Sequence, residues 1–280
     1  MSLGRTLVAG LLFSGCSAGE EPHQTWQGAV TNGSKAPGYE HVAQLLDAAT
    51  GELRCSASLI GPRTLLTAAH CVPEGTSLKV RFDTPSLSVE LMSDAIRVHP
   101  DFQVQGQMGS SLAHDLAWLR LADLAPVAPA ALSFRTAEVG ESVLVVGYGR
   151  TAGSTADEGE RRVGTAMVAS LAEDSLKLEG EQLPCRFDSG GAILTEDGQQ
   201  LGVVSTGDAR CGETATVSRI DGDATFIRAG LDAADLDATS SEPSSHPSAG
   251  CTVSAPGEGT TQWAWLAAAL LARRPRKGAR

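Results

Sequence analysis

The sequence predicts an all-β chain. Short apolar runs recur between turn residues, no strand alternates with a helical pattern as a parallel sheet requires, and 31 Gly and 13 Pro among 280 residues supply many turns. The strand-rich body runs from Val30 to Asp235, about 205 residues, which suits two packed β-barrels or a large sandwich. Strands are expected within 77–82, 89–99, 142–146, 192–194 and 201–205, with Gly51, Gly61-Pro62, Gly153-Ser154 and Asp197-Gly198 as turns between them. Residues 226–231 open a short terminal helix.

Composition narrows the function classes. Apolar residues make up 42% and charged residues 20%, so the body has enough material for a core. Acids outnumber bases 33 to 22, a net charge of −11, which argues against nucleic acid as a partner. No His, Cys or acid cluster has metal-ligand spacing in sequence, no cofactor is implied, and residues 82–95 offer no calcium ligand set.

The two ends carry address-like patterns. Residues 1–16 read as an export signal: Arg5, a short apolar run over 6–13, then Ser14-Gly15-Cys16. Eight apolar residues are too few to span a bilayer, and small residues before Cys16 resemble the bacterial lipoprotein box, in which that Cys is lipidated. Residues 17–29 then form a short propeptide. At the other end, 236–250 is a Ser/Pro linker and 251–280 a tail with Cys251, an apolar run over 263–272 and a basic end. That order resembles the sorting tails of myxobacterial surface proteins, so attachment to a membrane through Cys16 or the tail is expected of an otherwise monomeric chain.

Export implies an oxidising compartment, where disulfides persist. Setting Cys16 and Cys251 aside leaves Cys55, Cys71, Cys185 and Cys211. Spacing alone leaves all three pairings open.

Three segments carry chemistry. Residues 65–71 (LLTAAHC) place His70 before a Cys; 115–121 (DLAWLRL) put Asp115 at the mouth of an apolar strand; 185–192 (CRFDSGGA) set Ser189 before two glycines. A serine hydroxyl is a weak nucleophile that needs an adjacent base, and that base needs an orienting carboxylate. His114 is a rival base but adjoins Asp115, and neighbouring strand residues face opposite ways. His23, His41 and His246 lie in a leader, a loop and a linker, where solvation is the default.

In the order His, Asp, Ser, these segments resemble the trypsin/chymotrypsin family of serine proteases. The likeness extends to Val98-His99-Pro100-Asp101-Phe102, Gly147-Tyr148-Gly149 and Val204-Ser205-Thr206-Gly207. It implies two six-stranded antiparallel barrels with the active site between them, and bridges Cys55–Cys71 and Cys185–Cys211. It implies an endopeptidase acting on protein or peptide substrates, with Ser189 as nucleophile, His70 as base and Asp115 as orienting acid. The oxyanion hole falls to the backbone N–H groups of Ser189 and Phe187. Phe187 stands where the family has Gly, a change that puts one donor in doubt because glycine reaches conformations costly to other residues.

The same resemblance makes Val30 the mature N-terminus and Asp188 its buried partner after cleavage. Ala29 before it excludes a trypsin-like activator, and self-cleavage of Ala29–Val30 is expected instead. Leu183 stands at the base of the specificity pocket, with Ser205, Gly207 and Ala215 around it, favouring small or medium apolar residues before the cleaved bond. Two alternatives stand beside it: a catalytically weak protease-fold binding module, and an esterase, disfavoured because Ser189 lacks a G-x-S-x-G elbow.

Overall fold

A computed structural model of the chain describes residues 30–73, 77–105, 111–149, 159–208 and 211–240. The signal, propeptide and tail expected from sequence, with Cys16, His23, His246 and Cys251, lie outside the described residues.

The first barrel closes from six strands in the order β2 (Val42–Asp47), β3 (Leu53–Leu59), β4 (Thr64–Thr67), β9 (Ala117–Leu121), β6 (Ser88–Val98) and β5 (Leu78–Asp83), which returns to β2. Alternation decides which face turns in. In β5, Leu78, Val80 and Phe82 are buried while Lys79, Arg81 and Asp83 face outward. Register shifts in β2 and β6 mark the bulges that bend strands enough to close a small barrel.

The second barrel closes through β10 (Ser142–Gly147), β11 (Arg162–Leu171), β12 (Ser175–Glu179), β15 (Ala215–Arg219), β14 (Gln200–Gly207) and β13 (Ala192–Leu194). A two-residue strand, β1 (Ser34–Lys35), adds to the edge of β11. Its core holds Val143, Val145, Val168, Leu176, Leu178, Ile193 and Val217. Val203 of β14 joins the core of the first barrel, so the two packing units meet there. A hairpin of β7 (Gln103–Gln105) and β8 (Ser111–Ala113) stands apart from both. Every pairing is antiparallel except one isolated bridge, Leu132 to Gln200. This is the two-barrel fold the sequence led us to expect.

The terminal helix α1 (Ala224–Ser240) is longer than the stretch marked in sequence and lies on β4 and β9. Gly230 permits the approach: a Cβ there would come within 2.8 Å of the Trp118 ring. Both bridges implied by the resemblance, Cys55–Cys71 and Cys185–Cys211, are formed. Closing loops of this length contributes about 3 kcal/mol each by chain-entropy arithmetic. No helix of the described residues is long and apolar enough to cross a membrane.

Candidate active site

His70 sits on a single 3-10 turn, Ala69–Cys71, directly after β4, and the Cys55–Cys71 bridge ties that turn to β3. Asp115 lies in the loop before β9 and is fully buried. The His70 ring points Nδ1 at Asp115 Oδ2, 2.8 Å away, and the His70 backbone N–H donates to Oδ1 at 3.0 Å. A third donor completes the carboxylate's surroundings, since the Ser205 hydroxyl reaches Oδ2 at 2.6 Å. Three donors on one buried carboxylate satisfy it without solvent. They also assign the imidazole tautomer: Nδ1 carries the proton towards Asp115, and Nε2, unprotonated, lies 3.7 Å from the bridged Cys71 Sγ.

Ser189 follows a tight loop that only glycine can leave. Gly190 has φ +81°, and a Cβ there would run into the Ser56 carbonyl oxygen. Backbone bonds pin Ser189 on both sides: Ser56 N–H donates to Ser189 O at 2.8 Å and Gly190 N–H to Val204 O at 2.7 Å. The Ser189 hydroxyl donates to the Ser205 carbonyl at 3.1 Å and makes no hydrogen bond with His70. The structure therefore assembles base and acid in contact, with the hydroxyl turned to the neighbouring strand.

Phe187 adopts φ +72°, the left-handed conformation natural to glycine. Holding a side-chain-bearing residue there costs about 1–2 kcal/mol. The Ser56 hydroxyl supports it by donating to Phe187 O at 3.0 Å, while accepting from Tyr148 N–H at 2.9 Å. The backbone thus keeps the shape that a glycine would take. The Arg186 guanidinium lies 5.6 Å from the Phe187 ring centre, over its face.

Asp188 is fully buried and accepts three backbone donors: Val30 N–H at 3.0 Å, Cys185 N–H at 2.9 Å and Gly149 N–H at 2.8 Å. Side chains at Gly147 or Gly149 would collide with its carboxylate, which explains the Gly-Tyr-Gly segment. Burial raises its pKa, opposed by those backbone bonds and by the more distant Arg162 charge. In the intact chain Val30 offers a peptide N–H, a dipole rather than a full charge.

The expected pocket residues come together in a closed arrangement. Leu183 is fully buried in the second core beside Val30, and its carbonyl accepts the Thr31 N–H at 2.8 Å. Ala215 is buried on β15, and a Cβ on Gly207 would come 3.0 Å from Pro184 O. Gly207 therefore runs close to the Pro184 carbonyl.

Other histidines behave differently from their sequence reading. His114 does turn away from His70, but not through strand alternation: it lies in a loop at φ +47° and points Nδ1 at Asp223, 3.1 Å away. His41 is not solvated. It is half-buried beside Tyr39, its Nε2 is buried without a partner, and burial lowers its pKa, helped by Arg161 and opposed by Glu40. Sequence reasoning missed Ser56, which braces the nucleophile loop, and the second job of Ser205 on Asp115. The position of Ser56 beside the bridging Cys55 was the one available signal.

Two barrels with a His–Asp pair and a serine at their junction define the class of chymotrypsin-like hydrolases. The Trypsin family profile matches residues 18–225, and the chain belongs to that family. It is 28% identical over 206 residues to the CLIP domain-containing serine protease B9 of Anopheles gambiae, covering 56% of this chain and 50% of that protein. It is 31% identical over 202 residues to coagulation factor XII of Rattus norvegicus, covering 58% of this chain and 33% of that one. Trypsin-2 of Salmo salar is 25% identical over 177 residues, 55% of this chain and 73% of its own. The chain thus spans half or less of the first two relatives. The solved structure of neuropsin, a serine protease of mouse brain, superposes with a TM-score of 0.62 at 21% identity over 72% of this chain and 99% of that one.

Proposed function

We propose that the chain is an exported serine endopeptidase using Ser189, His70 and Asp115. The observation that carries this reading is the fully buried Asp115 holding the His70 ring and backbone at once, with Ser205 bonded to both Asp115 and Ser189. Asp115 keeps the proton on Nδ1 and favours the imidazolium that forms when Nε2 takes the Ser189 proton. The reading requires the hydroxyl to leave Ser205 O and meet His70 Nε2. The alkoxide then attacks the scissile carbonyl, His70 returns the proton to the leaving amine, and water releases the acyl group by the same relay. Backbone N–H groups of Phe187 and Ser189 would receive the oxyanion, the former supported by its glycine-like φ.

Val30 already beside Asp188 supports a precursor processed at Ala29–Val30 by the enzyme itself, where the new ammonium would give the buried carboxylate a full charge. The apolar Leu183 supports cleavage after small or medium apolar residues, once Gly207 and Pro184 part. Export is supported by the leader-like start and two disulfides. Anchoring through Cys16 or the tail belongs to the same reading, with the expected linker starting after α1 ends at Ser240 rather than at 236.

The test is incubation of protein beginning at Val30 with a peptide library and a fluorophosphonate. Stoichiometric labelling at Ser189 and cleavage of internal peptide bonds are expected, both absent in Ser189→Ala. Labelling with no peptide cleavage would favour an esterase, and neither labelling nor cleavage would overturn the endopeptidase reading in favour of a binding module. Continued processing at Ala29–Val30 in a Ser189→Ala precursor expressed alone would overturn self-activation.

A further inference from the structure

We propose that His99, His114 and Asp223 form a binding site for a divalent transition cation of the zinc class, distinct from the His70 site. His99 follows β6, His114 precedes β9, and Asp223 immediately precedes helix α1. Chain distance hides the grouping, but the fold brings their donor atoms within 4.8 Å of one another.

Each imidazole meets the carboxylate at the spacing of a small cation's ligands, and all three donor groups lie within 4.8 Å of one another. His99 Nε2 lies 3.3 Å from Asp223 Oδ1, and His114 Nδ1 lies 3.1 Å from Oδ1 and 3.3 Å from Oδ2. A tetrahedral zinc with bonds of about 2.0–2.1 Å has ligand-to-ligand edges of about 3.3–3.4 Å. The two imidazoles stack at 4.8 Å between centres and 10° between planes, and Phe226 packs edge-on against His99 at 4.7 Å. The stack brings both rings to one carboxylate, and sharing an ion requires one ring to turn, because an imidazole lone pair lies in its ring plane.

Burial and access are divided among the ligands. His99 and Asp223 are 8% and 7% exposed, whereas the His114 side chain is 33% exposed. His114 also lines a cleft of about 520 Å³ with Glu173, Asp174 and Lys177, which opens that ring to solvent. Asp174 accepts the His114 backbone N–H at 3.0 Å and fixes that loop.

Loading needs a proton to move on each ring. With the cation on His99 Nε2 and His114 Nδ1, the protons shift to His99 Nδ1 and His114 Nε2. His99 Nδ1 now accepts the Asp101 N–H at 3.2 Å, so that long bond is given up and affinity falls short of a closed structural site. The other grouping of this kind, Cys55, His70 and Cys71, is no ligand set because both sulfurs are bridged.

The test titrates full-length Ser189→Ala protein with Co²⁺, read by visible absorption, and with Zn²⁺, read by calorimetry. One equivalent of Co²⁺ should give the intense visible bands of four-coordinate cobalt. His114→Asn, which tolerates the left-handed backbone, and Asp223→Asn should each weaken binding at least about tenfold. His70→Ala and the Cys16→Ser/Cys251→Ser double variant should leave it unchanged. Zn²⁺ should raise Tm by a few degrees in the parent and not in His114→Asn. No stoichiometric binding below about 1 mM would overturn the site. So would a cobalt signal that survives both His114→Asn and Asp223→Asn. The cobalt readout needs no peptidase activity, so its failure and the failure of the proposed function are separate results.

Discussion

Two His–Asp contacts stand one residue apart in the chain, and they differ in what surrounds them. His70–Asp115 lies in the barrel junction with a serine hydroxyl on the next loop, and the carboxylate takes two further donors. His114–Asp223 lies beside the terminal helix, shares its acid with His99, and has no nucleophile among its recorded partners. A histidine against a carboxylate is therefore not a catalytic signature in itself. What makes a relay is a third group that can use the base.

The largest expected effect breaks the first site alone. Ser189→Ala should lower peptidase turnover by about 10⁶, the scale seen when such a relay loses its nucleophile. Asp115→Asn should cost about 10⁴ in kcat, because the wrong tautomer is stabilised. Asp223→Asn should lower kcat by less than about tenfold while costing about 1–3 kcal/mol in stability from unpaired buried groups. Comparable kcat losses for the two acids, measured with one peptide substrate, would refute the division drawn here.

Gly190→Ala sharpens the comparison by touching the nucleophile loop without removing a reacting group. A positive φ and the Ser56 carbonyl together should make it cost about 2–4 kcal/mol, read from urea denaturation of the Ser189→Ala precursor. Phe187→Gly works the other way. It removes a strained φ and should stabilise the fold by about 1 kcal/mol, with peptidase rate unchanged or raised.

The smallest effect is a pH dependence. Burial raises the Asp188 pKa above the ordinary carboxylate value of about 3.9. A folded pKa above the unfolded one means the folded state holds the proton more tightly. Its contribution is present at low pH and is lost as pH rises from about 4 through the raised value. In the precursor, the stability difference between parent and Asp188→Asn should shift against the parent across that window. In protein beginning at Val30, the ammonium partner should shrink or reverse the shift.

Much of this was legible in the residues. Alternation in β5, the glycines around Asp188 and the order His70, Asp115, Ser189 each encode a local requirement that sequence displays directly. The His99–His114–Asp223 grouping was not legible, because its members come from three elements and meet only when α1 docks. Nor was the closed slot, since the contact of Gly207 with Pro184 depends on how two loops settle. The reading of His114 reached the right separation from His70 for the wrong reason: a left-handed loop residue, not strand alternation, turns it aside. His41 was misread because a loop position gives no hint of the Tyr39 ring packed against it.

The seat of Val30 carries a consequence for timing. Its side chain is wholly inaccessible in the uncut polypeptide. The processing proposed before Val30 would require that enclosed residue to lift out first, so its pace should follow a local opening equilibrium. Loosening Thr31, whose N–H and hydroxyl clip the segment down, would then hasten maturation without altering the machinery that performs it.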